Sequence, residues 1–372
     1  MDADALTPRA LFDGNVCYEI PPFQRPYVWS EEDQWQPLWD DVQRVTERWL
    51  ELQGSGSEDA MVSHFMGAVV LKFQDTPAGE VARRSVIDGQ QRLTTLQLLL
   101  DAAQLVTAEH GDEEDAESLQ ELVYNSARRF RDTPSRFKLW PSRIDRTAFE
   151  YVMDNELDVS ELDATSRISE AHSFFIDSIR AWADIEGGVE SSTVRLSALA
   201  KVLQQNFVVV SINLSANDDD QLIFETLNNR GTPLLAADLI KNYVFQKCEL
   251  LGADVDEWSE DYWQGFDEDW WREEVSQGRL LRSRIDMFLQ YWLTMRLQDE
   301  VTSETVFIRF RHFAADSLAS KSEAKEFLGG LRLSIISDRQ RISAQTFRFL
   351  DFMMTPPWWG QGLTGTVSWV GP

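Results

Sequence analysis

Five adjacent residues, Asp88-Gly89-Gln90-Gln91-Arg92, hold the densest chemistry in this chain. An apolar run, Ser85-Val86-Ile87, leads into them, and a leucine-rich helix signal, Leu93-Thr94-Thr95-Leu96, leads out. A helix start offers unpaired backbone N–H groups and the positive end of a dipole, and both favour anions. Arg92 adds a forked donor that suits a phosphate. Asp88 is suited to cap the helix, to hold a metal or to position a water. Gln90 and Gln91 can orient a water or read a base edge. The same residues also fit a plain capped turn between strand and helix, so their types alone leave both readings open.

Two further polar clusters punctuate apolar elements. The first is Gln24-Arg25 with Tyr27 and Trp29, inside the Pro-rich aromatic segment YEIPPFQRPYVW at 18–29. The second is Asn228-Asn229-Arg230-Gly231, followed by Asp238, Lys241 and Asn242. Those last three lie three and four residues apart and share one helical face. Between the clusters, residues 128–146 carry seven cations, among them Arg128, Arg129, Arg136, Lys138 and Arg143, against Asp132 and Asp145. Phe130, Phe137 and Trp140 interleave with them, a pattern compatible with phosphate contact plus base stacking. An ordinary arginine face neutralised by acidic neighbours fits equally well.

Other chemistry is missing from the pattern. There is no Walker A loop, no GxGxxG and no Cys/His metal spacing. The four histidines stand singly and read as surface or core residues, and the two cysteines, Cys17 and Cys248, read as reduced thiols of a cytoplasmic protein. No run of about 18 apolar residues suggests a membrane span, and the acidic N-terminus does not resemble a signal peptide. The net charge of −27 argues against general affinity for nucleic acid.

The elements that must position these clusters follow from periodicity. Prolines 21, 22 and 26 make 18–29 extended and rigid. Ser30 caps an amphipathic helix through Trp35, Leu38, Trp39, Val42 and Val45. Strands are expected at 64–73, 86–88 and 206–214, a long helix after Arg92, and an acidic loop at 111–117. Residues 118–185 read as mostly helical, broken near Pro134 and Pro141. Residues 218–241 read as helix, turn and helix, with Pro233 at a first helical position. Beyond Tyr243 the chain reads as wholly helical, with a Gly-, Pro- and Trp-rich end. The expected division is 1–245 with a helical insertion at about 112–205, then a helical domain at 246–354, then a tail or linker at 355–372.

Four segments in order, IPPFQRPYVW, HFMGAVVL, VIDGQQRLTTLQLLL and FETLNNRGTPLLAADLIKN, closely resemble the N-terminal domain of the GmrSD, SspE and BrxU group of modification-dependent restriction proteins. Phe23 stands where that group usually has Tyr, while Asp88 to Arg92 match without change. The resemblance implies an α/β (α+β) fold: a ParB-like, sulfiredoxin-like core with a small mixed sheet, followed by a mainly helical domain. It implies Mg²⁺-dependent hydrolysis of a nucleoside triphosphate, GTP favoured and ATP or UTP as alternatives. It also implies sensing of modified double-stranded DNA, such as phosphorothioate or a modified base. Cutting is expected from an HNH-type nuclease domain or subunit rather than from these residues. A homodimer and the absence of membrane association complete the expected partners. Carried over, Asp88, Gln90, Gln91 and Arg92 are the catalytic residues, with Asp88 as the metal ligand. Gln24, Arg25, Thr94, Asn228, Lys241 and Asn242 bind the nucleotide. Pro22, Phe23, Tyr27 and Trp29 form an apolar wall that reads the modification, together with the cations at 128–143. A DNA-binding adaptor without turnover and a stand-alone ParB-like nuclease remain as alternatives.

Overall fold

The computed structural model describes residues 2–339, apart from 56–62, 78, 111–112, 127–129, 132, 155–165, 185–188, 215–234 and 278–279. Its contacts divide into two compact units, Met1–Tyr243 and Val244–Pro372.

Unit 1 is built on a six-stranded mixed sheet in the order β1-β6-β3-β4-β2-β5. The strands are β1 Asp2–Leu6, β2 Val16–Glu19, β3 His64–Phe73, β4 Ala82–Asp88, β5 Leu139–Trp140 and β6 Phe207–Leu214. β1 runs antiparallel to β6, and β3 antiparallel to β4; β6 with β3, β4 with β2, and β2 with β5 are parallel. The apolar run Phe207-Val208-Val209-Val210 fits the position of β6, which is paired on both edges. Parallel pairing of β3 with β6 needs a crossover. Helices α3 Gln90–Glu109, α4 Glu113–Gln120, α5 Arg146–Met153, α6 Arg167–Ala183 and α7 Val189–Gln205 lie within it.

α3 is apolar around most of its circumference, which marks a helix buried on every side. Leu93 to Gln104 are all buried, and the helix packs against α4, α6, α7 and β3. A short α1, Pro8–Leu11, follows β1; the amphipathic α2, Gln36–Ser55, packs on α7 and is preceded by a π-helical turn at Glu31–Trp35. Trp35, Phe137, Phe149 and Phe175 fill the core between these elements. Each fully buried ring of that kind is worth roughly 1.5–3 kcal/mol or more.

Several sequence expectations need correction. Residues 113–117 are the first turns of α4 rather than a loop, since Ala116 and Leu119 give that acidic segment one buried face. The break expected near Pro134 and Pro141 holds a short edge strand, Leu139–Trp140, paired with β2. Unit 2 is not wholly helical. β7 Glu274–Gln277 and β8 Leu280–Ser283 form an antiparallel pair. Around that pair stand the end of α8 (Ala236–Leu250), α9 Val255–Tyr262, α10 Asp269–Arg272, α11 Arg284–Leu297, α12 Val306–Ala314 and α13 Lys321–Arg339. Its aromatic core contains Trp263, Phe266, Trp271 and Phe288. No described helix is long and apolar enough to cross a membrane.

Candidate functional site

β4 ends at Asp88 and α3 begins at Gln90, so Gly89 alone joins strand to helix. Gly89 sits at φ +91°, in the left-handed region. A Cβ there would stand 2.7 Å from Val69 Cγ1 and 3.1 Å from Val69 Cα. The turn and the close approach of β3 both demand glycine. As the N-cap residue, Gly89 offers no side chain to the first turn, so no side-chain oxygen caps α3. Asp88 therefore does not act as the cap.

Asp88 and Gln90 are half-exposed, and among the described residues neither side chain makes a hydrogen bond. Arg92 is half-buried. Its guanidinium lies over Gly67 of β3, and Nη1 donates to the carbonyl oxygen of Ala68. Burial pushes the Arg92 pKa below its ordinary value, and the Asp88 carboxylate opposes that shift. Arginine still keeps its proton in such surroundings. A carboxylate and a guanidinium thus flank an uncapped helix start.

The two other expected amides are committed elsewhere. Gln91 is buried; its Oε1 accepts from Val28 N at 2.8 Å, and its Nε2 donates to Pro26 O at 3.0 Å. Gln24 is buried too, and its Nε2 donates to Val86 O at 2.9 Å and Ile87 O at 3.5 Å. Both glutamines fasten the Pro-rich segment to β4 and α3. That segment has little regular backbone pairing of its own, so side-chain amides supply the partners. Arg25 stays half-exposed beside them.

Tyr27 is fixed from three directions. Its N–H donates to Asp145 Oδ2 at 2.8 Å, its hydroxyl lies 2.5 Å from Thr95 Oγ1, and it accepts from Trp35 Nε1 at 2.8 Å. Its ring also stacks on Trp35. Asp145 accepts a further bond from Ser142 Oγ at 2.9 Å. Burial pushes the Asp145 carboxyl up to about 6, against the lowering effect of those two hydrogen bonds. Phe23 and Tyr27 are therefore buried, and the expected apolar wall is narrower than the sequence suggested. Pro22 and Trp29 are half-buried, and Val28 is exposed. Thr94 is buried within α3.

The described cations of the basic stretch are held singly by their own partners. Arg128 and Arg129 lie outside the described residues, as do Asn228 and its neighbours through Gly231. Arg136 pairs with Asp154 at 2.9 Å and Glu150 at 3.6 Å, and lies over the Phe137 ring. Lys138 is buried, donates to the carbonyl of Gly14, and is pushed down to about 8 by desolvation, with Asp13 and Glu121 opposing. Arg143 is half-buried. Phe130, Phe137 and Trp140 all belong to the core, so they are not stacking platforms. On α8, Asp238 and Lys241 are buried and Asn242 is half-buried.

Sequence reasoning missed the part played by β3. A lone glycine inside a strand pattern, Gly67 in HFMGAVVLKF, signals a bulge or a close approach, and the structure has both. It also missed a buried polar pair that joins α3 to α6: His172 Nε2 lies 2.8 Å from Asp101 Oδ2. Burial raises the Asp101 pKa, with His172 and Tyr124 opposing. No pattern of spacing links those residues.

Residues 9–245 match the family model described as "GmrSD restriction endonuclease, N-terminal domain". No curated protein matches the chain.

Proposed function

The chain belongs to the GmrSD restriction endonuclease N-terminal domain family, and from that premise we propose that it is the nucleotide-hydrolysing sensor part of a restriction system. The observation that carries this reading is the uncapped start of α3, with Asp88 closing β4 just before it and Arg92 in its first turn. Arg92 and the N–H groups of the first turn take the charge of the terminal phosphates. Phosphoryl transfer needs chiefly positioning and neutralisation of charge, and this site offers both. Gln90, whose amide is uncommitted among the described residues, orients the attacking water.

The donor set also fits a magnesium ion. Mg²⁺ is commonly held by one or two carboxylates plus phosphate oxygens and waters, not by a full protein cage. Asp88 is one half-exposed carboxylate, and no group of three or more His, Cys, Asp or Glu ligands occurs among the described residues. Bound there, the ion would neutralise developing phosphate charge. Asp88 would hold it, and Arg92 would add a second positive charge to the phosphates.

In this reading nucleotide turnover governs a nuclease of HNH type, supplied as a domain or a subunit, and the DNA it acts on is modified. The exposed Val28 and the half-buried Pro22 and Trp29 flank Gln24 and Arg25 in sequence, and take the modified group. The test is phosphate release from GTP, ATP, UTP and CTP, with Mg²⁺ and with EDTA. Mg²⁺-dependent release that disappears in Asp88→Asn and Arg92→Ala supports the reading. Tight DNA binding with no release from any nucleotide would instead make the chain an adaptor.

A further inference from the structure

The backbone of β3 is unusual at one point. Its pairing with β6 skips between Phe65 and Gly67, leaving Met66 as an extra residue. A bulge of this kind bends a strand and re-aims the residues beyond it. Gly67 then takes φ +110°, a conformation that residues with a side chain rarely adopt. The space its missing side chain leaves is not empty. A Cβ at Gly67 would stand 2.7 Å from Arg92 Nε, 2.9 Å from Cζ and 3.1 Å from Nη2. All three nearest atoms belong to the one guanidinium. The next residue, Ala68, supplies the carbonyl that Arg92 Nη1 binds.

We propose that Gly67 is a positioning residue for Arg92: the bare bulge of β3 is a seat that holds the guanidinium beside Asp88. The proposal rests on the nucleotide reading for its purpose but not for its geometry. A bulge glycine needed only for strand shape has no reason to meet one side chain at three atoms. Gly89 provides the contrast, since the atoms its Cβ would meet are Val69 and the Ala68 carbonyl, all on β3 itself. There a side chain would push the strand away. At Gly67 a side chain would push out the flexible end of Arg92, which moves more readily than a backbone. The seat also explains why Arg92 is half-buried although it lies in the first turn of its helix. Nη1 is bound to Ala68 while Nε and Nη2 lie against Gly67, so both contacts that fix the guanidinium come from the bulge of β3. Displacement of a charged group by about 1 Å can cost on the order of 100-fold in rate.

The test is a set of four full-length proteins: the parent, Gly67→Ala, Arg92→Ala and the double variant. Gly14→Ala serves as control, because Gly14 also has positive φ, +62°, but nothing within 4 Å of its Cβ position. Each protein that retains Arg92 is treated with phenylglyoxal, and modification of Arg92 is followed by peptide mass spectrometry. Gly67→Ala should raise the rate of modification at Arg92 severalfold, and Gly14→Ala should leave it unchanged. Equal rates in the parent and Gly67→Ala would overturn the seat. GTP turnover supplies the second readout. Gly67→Ala should slow it about 10- to 100-fold in the parent and no further in the Arg92→Ala background. An equal slowing in both backgrounds would mean that Gly67 acts through something other than Arg92, and the proposal would fall. If the parent shows no turnover, the nucleotide reading fails while the labelling still decides the seat. Should Gly67→Ala fail to fold, because φ +110° strains alanine whatever stands beside it, the parent alone decides: Arg92 should react with phenylglyoxal severalfold more slowly than the exposed Arg131, and equal rates overturn the seat.

Discussion

The turn at 88–92 and the stretch at 130–146 look alike as sequences and differ as structures. Both place charge next to apolar residues, and both resemble places where a phosphate could bind. In the stretch, the side chains are already occupied. Arg136 faces Asp154 and Glu150, Lys138 is buried on a backbone carbonyl, and the aromatic residues fill the core. In the turn, Asp88 and Gln90 have no hydrogen bond among the described residues, and Arg92 commits one edge of its fork. The density of charge is therefore a poor guide to a site. What separates the two regions is how much bonding capacity remains once the chain has folded.

That comparison can be broken by mutation. The largest effect should come from Arg92→Ala, which should lower GTP turnover by about 100- to 1000-fold with little change in thermal stability. An unchanged rate would place the turn in the same class as the stretch. Gln91→Ala should act the other way. It strips partners from Val28 N–H and Pro26 C=O, so it should cost about 1–3 kcal/mol in a urea melt. Lys138→Ala should cost about 2 kcal/mol, through lost stem packing and an unpaired Gly14 carbonyl, and should leave turnover alone.

Asp145→Asn should show as a change in pH dependence. The folded carboxyl, at about 6, holds its proton more tightly than an unfolded carboxylate near 4. Its contribution to stability is full below about 4 and is lost as pH rises to about 6. Asn should flatten the stability profile across that window while its amide oxygen still accepts from Tyr27. The smallest effect belongs to the exposed Arg131: Arg131→Ala should stay within about 0.5 kcal/mol and leave turnover intact. A large loss of DNA affinity in this variant alone would restore the basic stretch as an interface.

The residues that could be read from sequence were those whose meaning is local. Gly89 is demanded by a turn whose strand and helix both show in adjacent residues, and β3 and β6 announce themselves by apolar runs with polar ends. β1 does not, because Asp2-Ala3-Asp4-Ala5 is a strand only by virtue of pairing with β6. β5 has two residues, too few for any periodicity. The seat on Gly67 was illegible for a similar reason. A lone glycine in a strand signals a close approach but not what approaches, and Arg92 comes from a different element. Likewise Lys138 and Gln91 reveal their structural commitment only through partners far along the chain.

The pairing of β3 with β6 has a consequence for how the molecule is made. His64 is matched with Phe207, so the middle of the sheet joins two segments separated by the whole helical crossover. Contacts this remote in sequence make for slow assembly, because loop closure must precede the bonds that reward it. At a synthesis rate of about 5–20 residues per second, β3 leaves the ribosome on the order of ten seconds before its partner. During that interval Val69, Val70 and Leu71, all buried in the finished protein, have one unpaired edge. The nascent chain therefore exposes an apolar strand edge at β3 for that interval, and the bulge at Gly67, by kinking that edge, makes it a poorer template for the wrong strand.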